Sequence, residues 1–352
     1  MRPGLERALM DLQILAGAGL VLVGGILQGL FAVPMKFARR WNYENIWLVF
    51  ALTGLVAFPW LLTAMTVPHL GDIYQLTSTK CIAAIVGFGV CWGTGATLTG
   101  LSISMLGIGL GLEIILGLSA SVGSLVPLLF LTPQKFVTSQ GHLYLIGTAV
   151  MLTGIAVAAR AGSLRDSGKK PEASHRGVTV KGSYVAGLVV ASCAGLLSSA
   201  LNFSYAFGTE ALMQARHLGV SPVWMSNVVA APATTGGFVA NFLYCIYLLR
   251  QNSTAPRFLL PELRINWLHG AVMGAFWFGG LAVYGLGIYR MGDFGAVVGW
   301  PLLMGTIIIT SNAAGFLTGE WKGSGTRVRL YLAAGMATIL VALWILALAQ
   351  KP

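Results

Sequence analysis

Charge is what this chain has least of. Asp, Glu, Lys and Arg make up only 9% of its 352 residues, against about 25% in an ordinary soluble domain, and that excludes a water-soluble globular fold. Acids are the scarcest, 11 in all. Cysteine is sparse too: Cys81, Cys91, Cys193 and Cys245 lie in or beside apolar runs, with no CxxC pair and no His at metal-ligand spacing. Packing accounts for them better than a redox pair or a zinc site. His69, His142, His175, His217 and His269 are scattered near expected helix ends and form no metal set. No Walker-type phosphate loop, nucleotide fingerprint or HExxH-like motif occurs, so ATP-driven work and metalloenzyme chemistry have no support. We expect no enzyme and no cofactor; a proton is the coupling ion to consider.

The formal net charge of +11 raises the question of nucleic acid. The Lys and Arg residues, however, sit in the gaps between apolar runs rather than on an amphipathic stripe or beside exposed aromatics. They read as topology signals, and nucleic acid is not an expected partner.

What the chain has in abundance is apolar sequence, 56% hydrophobic by residue with a mean hydropathy of +0.78. Runs of about 20 such residues recur along its length, each enough to cross a bilayer as a helix. The expected fold is an all-α integral membrane domain of ten transmembrane helices, at 14–36, 46–66, 82–104, 107–130, 142–161, 182–208, 223–249, 268–290, 293–318 and 327–349. Glu6 and Asp11 accompany Arg2 and Arg7 at the start, and the apolar run continues as a full span. That reads as helix 1 rather than a cleaved signal. The bilayer of the inner (plasma) membrane is the expected environment.

Counting Lys and Arg by gap gives 7 on the side of both termini and 15 on the other. The positive-inside rule then places both termini outside the cytoplasm. A basic segment, residues 163–181, divides the spans five and five, so 1–162 and 182–352 are the expected halves. Each half crosses an odd number of times. If related, they must lie in opposite orientations, the inverted-repeat plan of many secondary transporters. A shift of 186 positions lays Gly93 on Gly279, Ala96 on Ala282, Met105 on Met291 and Gly109 on Gly295, with Trp92 over Phe278. The five-plus-five arithmetic gives this faint likeness its weight.

One acid stands well inside an expected span. Glu113 shares a helix face with Gly109, Gly117 and Ser121 in the run from Gly107 to Phe130, a narrow face that lets a neighbouring helix come close. An ionised acid at mid-bilayer costs about 2.5–3.5 kcal/mol on insertion scales. Desolvation favours the neutral form, so such a residue can take up and release a proton. A protonated Glu bonded to a neighbouring helix is the bland alternative. The uncharged polar set comprises Gln28, Asn202, Asn227, Asn241 and Asn312. Amides both donate and accept, which suits a polyhydroxylated ligand or, equally, an interhelical bond. Of these, Gln28 and Asn202 are favoured, near the middle of the first helix of each half, with Asn227 and Asn312 as further candidates. Trp92, Trp277, Tyr284 and Trp300 offer flat faces that could stack on a sugar ring, though aromatics in membrane helices mostly pack. Trp300 precedes Pro301, which removes a ladder donor inside the ninth span and could free backbone groups at a central cavity.

Several stretches together resemble the bacterial L-rhamnose-proton symporter family of the drug/metabolite transporter superfamily. They are FAVPMKFARRWNYENIW from Phe31, WGTGATLTGLSISMLGIGLGLEIILG from Trp92, RAGSL from Arg160, GVSPVW from Gly219 and GEWKGSG from Gly319, in family order along the chain. The resemblance implies ten helices in inverted five-helix halves and a sugar carried with a proton. At the position of Glu113 it departs from the family's pattern, which has a small residue there. The expected function is secondary transport of a small polyhydroxylated solute, a rhamnose-like monosaccharide, by alternating access with Glu113 as proton site. An exporter or exchanger of amino acids or nucleotide sugars, or a non-transporting membrane sensor, stands as the alternative, and a homodimer is left open.

Overall fold

Every regular element among the described residues of the computed structural model is a helix. Those residues are 3–107, 110–119, 122, 137–167, 184–291, 293–319 and 321–348. Helix α1 spans Pro3–Leu30 and a short 3-10 turn follows at Val33–Phe37. Next come α2 (Tyr43–Leu52), α3 (Phe58–Thr66), α4 (Leu70–Leu76) and α5 (Thr79–Leu106), then α6 (Leu110–Ser119). The chain continues as α7 (Ser139–Ser167), α8 (Tyr184–Ser198), α9 (Ala200–Phe207), α10 (Thr209–His217), α11 (Asn227–Gln251), α12 (Ile265–Met291), α13 (Asp293–Leu317) and α14 (Thr326–Leu348).

Local chemistry explains where several of these begin and end. Asn42 and Asn45 form a reciprocal cap at the start of α2, satisfying amides that the first turn leaves open. Pro59 cannot donate to the ladder, and one π turn, Thr53–Ala57, joins α2 to α3 just ahead of it, a slip that keeps the helix continuous. Gly107 ends α5 with φ +89, a region that L side chains avoid, and turns the chain into α6. Ser198 and Ser199 donate their hydroxyls back to the carbonyls of Ala194 and Leu196. That competition with the ladder accompanies the break between α8 and α9.

Among the described residues, eight helical stretches are long and apolar enough to cross a membrane. They match eight of the ten expected spans: the first, second, third, fifth, sixth, seventh, eighth and tenth. The fourth and ninth are represented by shorter apolar helices, Leu110–Ser119 and Leu302–Leu317; most of 120–130 lies outside the described residues, as does the basic linker from 168 to 183. The ninth is the end of a continuous helix, since α13 runs on through Pro301.

The chain forms two compact units, each drawing on sequence from both sides of that linker. One comprises Met1–Leu30, Leu116–Lys170 and Gly279–Pro352; the other comprises Phe31–Ile115 and Pro171–Phe278. In the first, α1 packs on α13 and α7 on α14. In the second, α5 packs on α11, α8 and α9. Between lipid-embedded helices there is little hydrophobic gain, so close approach of small residues does the binding. The α5–α11 seam shows it: a methyl group on Gly93 would collide with the backbone of Gly237, and one on Gly237 with the Trp92 ring.

Candidate functional site

The second unit holds the acid on which the sequence reading turned. Glu113 sits in the first turns of α6 and is fully buried, as are Leu110, Leu112, Ile114 and Ile115 on the same helix. Neither carboxyl oxygen has a hydrogen-bond partner among the described residues. On α5, Ser102 is also fully buried with its hydroxyl unpartnered among them. A backbone contact fixes the two helices here, because Gly111 faces Ser102 and Ile103. A buried carboxyl without a partner costs free energy in any packed protein, so it points to something the carboxyl binds: a proton, or a ligand hydroxyl. Of the stripe that framed Glu113, Gly117 packs against Ile155 and Met151; Gly109 and Ser121 lie outside the described residues.

The same unit brings two of the proposed aromatics together. The rings of Trp92 and Trp277 lie 5.4 Å apart at 33°, and Phe50 stands edge-on to Trp277 at 6.4 Å. Tyr43, Trp47 and Phe31 extend the row. Behind it, Trp47 Nε1 donates to Asn241 Oδ1 at 2.7 Å, and Asn241 Nδ2 donates to the carbonyls of Gly93 and Gly237. Asn241 is thereby used up as an interhelical fastener. So, largely, is Asn227, at the first residue of α11, whose Nδ2 donates to Thr66 Oγ1 at 3.2 Å. Asn202 is on α9, after the break at Ser199 and not at mid-helix; its side chain lies outside the described set.

In the other unit Gln28 stands near the C-terminal end of α1 rather than at its middle. It shares one seam with Tyr284: a methyl group on Gly280 would meet the Gln28 side chain, and one on Gly24 would meet Tyr284. Asn312 is fully buried, donates Nδ2 to the Ile308 carbonyl, and leaves Oδ1 unpartnered among the described residues. Trp300 lies in α13, with its side chain outside the described set. The structure thus joins Trp92 to Trp277 and sets Gln28 and Tyr284 along one seam.

Sequence reasoning missed a second buried acid. Glu44 stands just ahead of the expected span 46–66, yet it lies in the first turn of α2 and is fully buried. Its Oε1 accepts from Thr254 Oγ1 at 2.6 Å and from Asn252 Nδ2 at 3.0 Å. Around it the loop before α2 is bound to the loop between α11 and α12: Asn45 Nδ2 donates to Thr254 O, Asn266 Nδ2 to Arg39 O, and Arg257 Nη1 to Arg40 O and Asn42 Oδ1. Trp41 stands edge-on to Phe258 and Trp267 alongside, and those two rings are tilted against each other. The signal available in sequence was the amide-rich run Asn42–Asn45 beside an acid, a pattern that cannot say whether the loop is exposed. In the first unit, two further stretches behind the family resemblance also meet: Arg165 lies over the Trp321 ring at 4.9 Å, and Ala161 packs with Trp321.

Residues 10–351 match the family model described as L-rhamnose-proton symport protein. The chain belongs to this family. Among curated relatives it is similar to an L-rhamnose-proton symporter of Cronobacter sakazakii, 29% identical over 91% of this chain and 93% of the relative. Relatives of the same name from Shigella dysenteriae and Escherichia coli are each 26% identical over 91% of this chain and 94% of theirs. Membership makes this a transport protein rather than an enzyme, and the eight apolar helices make it a multi-pass membrane protein. The expected resemblance is therefore correct, and the row from Phe31 to Trp47 that carried part of it is the segment that fastens two loops in the second unit.

Proposed function

We propose that this chain is a secondary active transporter of the inner membrane that moves L-rhamnose or a closely similar monosaccharide together with a proton. The observation that carries the reading is the match to the symport family over residues 10–351, at nearly the full length of the relatives. The chemistry in the second unit suits it. The Trp92–Trp277 pair offers the flat apolar surface on which the C–H face of a sugar stacks, and a deoxy sugar presents more such surface than a fully hydroxylated one.

Glu113 is the proposed coupling group. A carboxyl in an apolar pocket with no partner is stable there in its neutral form, so loading it with a proton on one side and unloading it on the other moves the carrier through alternating access. Ten spans in two inverted five-helix repeats, with both termini outside the cytoplasm, complete the proposal; the excess of Lys and Arg on the opposite side supports that orientation. The test is uptake of labelled L-rhamnose into proteoliposomes of the purified protein, with and without an inward proton gradient. Gradient-driven accumulation is expected. A rate and end point indifferent to the gradient would remove the proton from the mechanism, and no flux of any monosaccharide would remove the sugar.

A further inference from the structure

A cavity of about 650 Å³ opens in the second unit where the segment after α1 faces the start of α12. Lys36, Arg39 and Arg40 line it from one side and Glu262, Asn266 and His269 from the other. Three cationic residues and one carboxylate line it, and the carboxylate pairs with Arg40 at 3.4 Å. The wall is built rather than incidental. Asn266 is fully buried and holds the backbone of Arg39 through Nδ2 at 2.9 Å, while Arg257 holds the carbonyl of Arg40 at 2.6 Å. Two polar atoms on the lining, Asn266 Oδ1 and His269 Nδ1, are buried and have no partner among the described residues. Both are what a ligand carrying an anionic oxygen and a hydroxyl would complete: the imidazole can donate to the first and the amide oxygen accept from the second.

The rim says where that ligand comes from. Phe37 and Ile265, on the cavity lining, are 59% and 54% exposed. They belong to the membrane-spanning stretches Leu12–Phe37 and Pro261–Met291. Apolar exposure beside fixed cations at the end of a span marks the boundary between headgroups and acyl chains. We infer that this cavity binds the phosphate headgroup of an anionic phospholipid, with Arg39 and Lys36 on the phosphate, a headgroup hydroxyl toward Asn266, and the acyl chains leaving past Phe37 and Ile265. A bound lipid would brace the loop fastening that surrounds Glu44.

The purified full-length protein in uncharged detergent provides the test, read as bound lipid by native mass spectrometry and as thermal midpoint. The probes are phosphatidylglycerol, phosphatidylcholine with the same acyl chains, and inorganic phosphate. Phosphatidylglycerol should bind as a discrete adduct and raise the midpoint, while phosphatidylcholine and millimolar phosphate should not. Replacing Lys36 and Arg39 together by Gln should weaken phosphatidylglycerol binding roughly thirtyfold, about fivefold for each cation lost. Arg216→Gln, a charge removed on α10, serves as control and should keep full binding, and Arg39→Lys should keep most of it. Equal binding of phosphatidylcholine, or undiminished phosphatidylglycerol binding by the double variant with an unchanged lipid-free midpoint, would overturn the site. A response to inorganic phosphate alone equal to that of the lipid would keep the phosphate chemistry and overturn the lipid as its source.

Discussion

Two carboxylates lie fully buried in the same compact unit, and the protein treats them oppositely. Glu44 is held at one oxygen by Thr254 and Asn252 in a bed of amides and backbone carbonyls. It stands in the first turn of α2, where the helix dipole favours negative charge. Glu113 has aliphatic neighbours on its own helix and no hydrogen-bond partner among the described residues. Glu44 Oε2 also lacks a partner among the described residues, so the difference is two bonds against none: a bonded carboxyl fixes geometry, while one without any bond is a place where something can come and go. Both lie inside stretches that carry the family resemblance, Glu44 in the one from Phe31 and Glu113 in the one from Trp92. The contrast is in keeping with the proposed division, a structural role for Glu44 and coupling for Glu113.

The sharpest way to break that assignment is Glu113→Gln. Under an inward gradient of about one pH unit, a one-proton carrier can accumulate sugar up to about tenfold. The variant should bring this to about onefold while exchange of internal for external sugar persists. If gradient-driven accumulation survives in Glu113→Gln and vanishes in Glu44→Gln, the two roles are reversed. Next in size, Glu44→Ala leaves the Asn252 and Thr254 donors without their acceptor. It should cost about 1–3 kcal/mol, seen as a lower midpoint in denaturant or heat, with the coupling ratio of the surviving protein unchanged. Thr254→Val should reproduce the direction at about 1.5–3 kcal/mol, since it removes a bond to a carboxylate. Glu44→Gln keeps an acceptor oxygen in place and should cost less, about 0.5–1.5 kcal/mol.

An exposed acid supplies the smallest effect and the reference for both. Glu210 accepts from the Ser78 backbone at 2.7 Å and from its hydroxyl at 2.5 Å, just ahead of α5. Those two bonds hold its carboxyl below the usual carboxylate range. With the folded value depressed, the stabilisation is present above the ordinary range and is lost as pH falls through the lowered value. The midpoint difference between wild type and Glu210→Gln should therefore be small near neutrality and vanish as pH falls through the lowered value. A difference that grows on acidification would show that the Ser78 bonds do not carry it.

Much of this was legible in sequence, residue by residue. Glu113 was visible because one charge in an apolar run has nowhere to hide. Eight spans were visible because the bilayer sets their length, and the basic gaps because charge stays out of hydrocarbon. Glu44 was not, because an acid near an expected helix end looks solvated until the loop between α11 and α12 is seen closing over it. The mid-helix placement of Gln28 failed because α1 begins at Pro3 and ends at Leu30, and that of Asn202 because the serine pair breaks the sixth span at Ser199. Asn227 and Trp277 were equal candidates in sequence; one turned out to fasten α11 to Thr66 and the other to stack on Trp92.

Read alone, the amino-acid order places this chain in a membrane, has it cross as helices, and sets one acid where an acid is expensive. Those properties follow from composition and one-dimensional spacing, which the bilayer reads directly. It took the folded chain to show that residues from both sides of the basic linker share each compact unit, that Glu44 is buried and bonded, and that three cationic residues line a cavity with two polar atoms unpartnered among the described residues. Partner choice among buried polar groups depends on which helices meet. In lipid that is set by the fit of small residues such as Gly93 against Gly237, because apolar surface alone gives no preference among neighbours.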